Sequence, residues 1–220
     1  MTYWRWAALA ALGVIGCTIG FAQIPDITAC GRSDAILAFE FVTSPGEVAR
    51  LFPASCRAAH VAAQYRGLAL DSFGFIPIYS SFLILCLLAL RDNGHAERRG
   101  VVRAAIGMTL LAAACDQFEG VQLYRLLGHL PGDQHIIDLL MPAVRIKFAL
   151  LALVVIVIGG RLFRRGGWHA PVAAVLMAGS AVSLAGLFGN RALVMQGSSL
   201  AWLVLIMVAL IKAVRTRRTA

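Results

Sequence analysis

Asp71, Asp116 and Glu119 are acidic residues that fall in or beside long apolar stretches. An ionisable group there is costly unless it meets a partner or a wet cavity. Asp116 and Glu119 are three residues apart, the spacing that places two side chains on one face of a helix, and Gln122 extends that face. Lys147 stands out for another reason, since the chain holds only two lysines against eighteen arginines. Three carboxyls against one well-placed lysine form an acid-rich set, which suits a proton donor, a proton relay or a site for a cationic group. Asp116, Glu119 and Lys147 are therefore the catalytic candidates.

Depth ties these residues together. Counting from the arginines at the inner end of each apolar stretch puts Asp116 and Lys147 both roughly 10 Å below the outer hydrocarbon boundary, with Glu119 at roughly 6 Å. Lys147 is expected to meet Asp116 or Glu119. Arg145 points to nearly the opposite side of the same helix unless Pro142 kinks it, and is expected to reach the outer interface or Asp138, seven residues back. Asp71 opens the second span, with Gln64 one heptad earlier and Tyr79 deeper. Asp71, Tyr79, Gln122 and Glu40, the last carried by the preceding loop, are the ligand-binding candidates of a pocket in the outer half of the membrane. A hard-cation site is a weaker version of the same idea, and no metal site is assigned. His129 and His135 flank Pro131-Gly132-Asp133, outward of the carboxyls. A purely structural reading competes: a buried ion-pair network that fixes helix packing without adding net stability.

The elements that must position these residues follow from composition. The 220 residues are 60% hydrophobic and 14% charged, against about 45 to 50% and about 25% in soluble domains. The apolar residues fall in blocks of about 20, long enough to cross about 30 Å of hydrocarbon. Six spans are expected, at 6–24, 72–90, 101–123, 137–158, 171–188 and 192–211, within a single membrane domain over 1–220. The fold class is an all-α integral membrane bundle with a helical cap in the outer loop 25–70. Arg5, Arg91, Arg98, Arg99, Arg103, Arg161, Arg164, Arg165, Lys212, Arg215, Arg217 and Arg218 all fall on one side of this topology. Short cytoplasmic loops carry such an excess, so both termini are expected in the cytoplasm. The +9 charge and pI of about 10.1 thus mark an orientation, and no nucleic-acid partner is expected. Arginine over lysine, with many alanines and glycines, suggests a GC-rich bacterial genome and the bacterial inner membrane.

Two readings compete for the first span. Its short positive lead, apolar stretch and the lipobox-like Val14-Ile15-Gly16-Cys17 describe a cleaved or lipidated signal sequence; Gly13, Gly16 and Gly20 describe the small face of a retained helix. Either leaves the following loop outside. There Ser33 or Asp34 can cap an apolar stretch through Phe41. Ser44-Pro45-Gly46-Glu47 is a capping box with proline at the first helical position, and a further helix is expected from Ser55 into the second span. Cys30 and Cys56 share this loop, on the side where disulfides persist, and are expected to pair. Cys17, Cys86 and Cys115 lie inside spans as small buried hydrophobes.

Familiar catalytic motifs are missing: there is no P-loop, no Gly-x-Ser-x-Gly, no His-Glu-x-x-His and no Cys-x-x-Cys. Phe39-Glu40-Phe41, the stretch Glu47 to Phe52, Leu70-Asp71, Phe75-Ile76-Pro77-Ile78-Tyr79, Asp116-x-x-Glu119 and Lys147-Phe148-Ala149-Leu150 together resemble a group of uncharacterised bacterial multi-pass membrane proteins. The resemblance covers roughly 36–150 and implies no activity; Gly120 stands where that pattern usually has asparagine. The leading functional expectation is a pocket that binds or modifies an amphiphilic ligand, a lipid or quinone-like molecule, with Asp116 or Glu119 as acid or base and no cofactor assigned. A proton- or ion-coupled transporter and an assembly protein are the alternatives.

Overall fold

A computed structural model describes residues 3–28, 30–31, 35–91 and 96–215, with side chains from 99 in the last stretch. Ser33, Asp34, Arg217 and Arg218 lie outside the described residues, as does the side chain of Arg98. The described chain is helical, in the order α1 (Tyr3–Ala22), α2 (Ala35–Glu40), α3 (Pro45–Leu51), α4 (Arg57–Leu70), α5 (Ile76–Ala89), α6 (Ala96–Gly128), α7 (Gln134–Phe163), α8 (His169–Gly186) and α9 (Arg191–Arg215). Six stretches are long and apolar enough to cross a membrane, and the chain is a multi-pass helical membrane protein. Large apolar side chains remain exposed along them, including Leu12 on α1, Leu110 and Val121 on α6 and Leu203 on α9. Such surface suits lipid, where it would be a liability in water.

The spans are longer than hydropathy alone suggests. α6 runs 33 residues, about 50 Å at 1.5 Å per residue, because its polar ends continue the helix that the apolar middle begins. α7 likewise runs 30 residues, with Pro142 inside it. The helix expected from Ser55 into the second span is present as one apolar stretch of 33 residues, Arg57–Ala89, so the span starts well before position 72. Pro77 marks its irregular point. Proline has no N–H and its ring crowds the carbonyl four residues back, here Phe73. Residues Asp71–Phe75 accordingly form a wide π turn, in which the Ile76 N–H donates to the Asp71 carbonyl, five residues back.

Contacts divide the chain into two compact units. The first comprises Met1–Gly13, Ile78–Ala113 and Lys147–Ala220; the second comprises Val14–Pro77 and Ala114–Ile146. In the first, α8 and α9 pack through small residues. A Cβ at Gly179 would lie 2.9 Å from the Gly197 carbonyl oxygen, and one at Gly186 would lie 2.5 Å from the Val194 nitrogen. Ser183 and Ser198 hydroxyls meet at 2.8 Å across the same seam. Arg161 in the last turn of α7 and Arg165 just beyond it donate to the Leu90 and Ala89 carbonyls at 3.3 and 3.4 Å, capping the end of α5.

The second unit holds the loop that was expected to form a cap. Ser44 adopts an extended backbone (φ −155°, ψ 156°) and its hydroxyl accepts from the Glu47 N–H at 3.3 Å. The reciprocal half of the box is displaced by one residue: Glu47 Oε2 accepts from the Thr43 N–H at 2.7 Å and from its hydroxyl at 2.9 Å. Phe39 and Phe52, both buried, meet edge to face with ring centroids 5.1 Å apart. Cys30 and Cys56 form a disulfide at the entry to α4. Of the three α1 glycines, Gly13 and Gly20 lie against Ile78 and Leu70, each within its own unit, whereas Gly16 faces open space.

Candidate functional site

Within the second unit, α4 and α6 position the polar side chains. Because the Ile76 N–H bonds to Asp71 in the π turn, it is unavailable to the Ser72 carbonyl that would receive it in a regular helix. Gln117 Nε2 on α6 donates to that carbonyl at 2.8 Å. A Cβ on Gly120 would sit 3.5 Å from the Ser72 hydroxyl, and further along, the Tyr65 and Tyr124 rings meet at 4.9 Å. Ser72 thus faces residues 117–120 and Tyr65 faces 124. The helices run antiparallel, and this register puts Asp71 level with Gln117–Gly120.

On α6, Asp116, Glu119 and Gln122 are only 5%, 2% and 3% exposed. Gln122 Oε1 accepts from Arg125 at 3.1 Å, so an arginine from the outer surface of the helix reaches back to the polar face. On α4, His60 and Gln64 are buried too, one turn apart, with ring nitrogen and amide nitrogen 3.4 Å from each other. The His60 ring packs on Phe52 at 5.0 Å, which ties the loop helices to α4. His60 is the polar residue that the sequence reading passed over. Its signal was present: His60, Gln64, Gly67 and Asp71 follow a four-three-four spacing, a continuous face of the helix expected from Ser55.

The second unit therefore contains Asp71, Asp116, Glu119 and Gln122, and also Glu40 at the end of α2 and the Cys30–Cys56 disulfide. Glu40 and Asp71 are partly exposed, whereas the pair on α6 is not. Tyr79 and Lys147 belong to the other unit. There, Tyr79 is 1% exposed with its ring edge-on to Trp202 at 5.9 Å, and the buried Lys147 ammonium lies 4.8 Å from the Phe148 ring centre. Asp138 accepts from Gln134 Nε2 at 2.8 Å, and Arg145 is exposed. His129 and His135 are exposed as well, and among the described residues no three His, Cys, Asp or Glu side chains come close enough to hold a metal ion.

A cavity of about 30 Å³ lies beside Ser180, Ser183, Ser198 and Trp202 in the first unit, apart from the carboxyls of α6. The buried carboxyl pair of α6 is the stronger candidate. Two acids one turn apart, held by a helix that is itself pinned through Gln117, can exchange a proton with a bound polar group without rearranging the backbone. No protein-family model, curated protein or solved structure matches the chain, so the geometry stands by itself.

Proposed function

We propose that the polar face of α6 in the second unit binds, or chemically modifies, an amphiphilic ligand such as a lipid or a quinone-like molecule. Asp116 or Glu119 serves as acid or base, and Gln122, Asp71 and Glu40 contact the polar end of the ligand. The observation that carries this reading is the burial of both carboxyl side chains on one helical face inside an apolar span. Groups so costly to bury concentrate where membrane proteins handle protons, ions or ligands. A ligand with an apolar body and a hydrogen-bonding head matches a site that is apolar around and acidic at its centre. The proposal also includes the bacterial inner membrane, with both termini in the cytoplasm.

A packing-only role has one observation in its favour: Gln117, on the same helix, uses a polar side chain to hold α4. The two readings separate on purified protein. Mass spectrometry of the gently extracted protein is expected to show a retained lipid or quinone-like molecule. Asp116→Asn and Glu119→Gln should each reduce its retention about tenfold, the worth of one hydrogen bond to a charged group, at unchanged folded yield. Variants that fold equally well and retain the same molecules to the same extent would sink the ligand reading.

A further inference from the structure

Small residues set the spacing of α7, α8 and α9 within the first unit. A Cβ at Gly159 on α7 would lie 2.8 Å from the Met177 side chain and 3.3 Å from the Ala173 carbonyl oxygen, so α7 and α8 touch closely at that level. Gly179 and Gly197 hold α8 against α9 in the same way. One turn further along α7, at Val155, the three helices leave a cavity of about 30 Å³ between them. α7 walls it with apolar side chains only, Phe148 and Val155 among them, whereas α8 and α9 contribute Ser180, Ser183 and Ser198.

A hydroxyl inside a helix can be satisfied by the carbonyl one turn back. Thr18 and Thr109 use that bond, each at 2.9 Å, to Val14 and Ala105. Ser180 does not: it is 2% exposed, its hydroxyl has no hydrogen-bond partner among the described residues, and it borders the cavity. Ser183 and Ser198 bond each other at 2.8 Å, which occupies one of their two hydroxyl protons and leaves spare lone pairs beside the same space. An unmet buried hydroxyl is costly, and neither the apolar wall of α7 nor hydrocarbon can satisfy it. A water requires roughly 10–15 Å³ of such space and about two to four polar partners. We propose that the cavity is a water site, in which an ordered water bridges Ser180 to the Ser183–Ser198 pair and completes the junction of α7, α8 and α9. The site lies wholly in the first unit and does not rest on the carboxyls of α6.

The test uses the full-length protein in lipid vesicles, with isotope-labelled serine and leucine, and solid-state NMR that follows magnetisation passed on from water protons. The Ser180 signal, identified by its loss in Ser180→Ala, should gain water magnetisation well before that of Leu176, a fully buried residue of the same helix. A Ser180 signal as slow as Leu176 would mean a dry void, and one fed by acyl-chain protons in place of water would assign the cavity to lipid; either result overturns the proposal. Thermal unfolding in detergent gives a second reading. Ser180→Ala should melt about 2–4 °C below Ser199→Ala, the worth of one hydrogen bond in a chain of this size. Ser199 is exposed on α9 and reports the change in helix propensity alone. Removing a hydroxyl that has no water would instead relieve the cost of burying it, so a melting temperature equal to or above that of the control would also overturn the water site.

Discussion

Gln117 shows how a single polar side chain can hold two membrane helices in register. The π turn leaves the Ser72 carbonyl without its regular helical donor, and hydrocarbon supplies none, so the Gln117 amide takes that role at 2.8 Å. Gln117→Leu should therefore lower stability by about 1–3 kcal/mol, the cost of leaving a buried acceptor unmet. Unfolding in detergent followed by circular dichroism would measure it; an unchanged melting temperature would show that the carbonyl is satisfied elsewhere. Asp116, Glu119 and Gln122 were legible because their types are rare inside spans and their spacing matches one helical face. Gln117 was not, since it matters through a backbone event, the π turn, that side-chain type does not announce, whereas His60 was legible by its spacing with Gln64 and Asp71.

Elements were legible where a single physical signal dominates. Apolar runs marked the spans, and the Ser44 to Glu47 box marked α3. Helix ends were not, because hydropathy reports the lipid-facing middle while backbone hydrogen bonding continues into polar residues. The ends of α6 and α7 fall in this class. Pro77 illustrates the difficulty, since a proline that ordinarily breaks a helix is here absorbed by a turn one residue wider. Small residues also gave an uneven signal. Gly197 on α9 leaves no space for a methyl group, its Cβ position being blocked by the Gly179 carbonyl and the Ser183 backbone, while Gly16 on α1 meets nothing within 4 Å. Gly197→Ala should cost about 1–3 kcal/mol through forced separation of α8 and α9, whereas Gly16→Ala should be neutral or slightly favourable through helix propensity. Comparing the two melting temperatures checks the seam, and equal effects would contradict it.

At the scale of the whole molecule, the two units differ in charge as sharply as they do in contacts. The unit of Val14–Pro77 and Ala114–Ile146 holds nine of the eleven acids and six of the twenty lysines and arginines; the other holds two acids and fourteen cations. That is −3 against +12, a segregation that an ordinary soluble fold has no reason to adopt but that follows if the cation-rich segments are retained in the cytoplasm during insertion. Ala96 begins α6 in the cation-rich unit, and Asp133 precedes α7 in the acid-rich one, so the two positions report on opposite ends of the charge pattern. In protein whose Cys17, Cys86 and Cys115 are replaced by alanine, a cysteine at position 133 should react with an impermeant maleimide added to intact cells. One at position 96 should react only after the membrane is opened. Reversed labelling would invert the topology and move the carboxyl face to the cytoplasmic half; labelling of both positions from outside would refute a charge-directed insertion altogether.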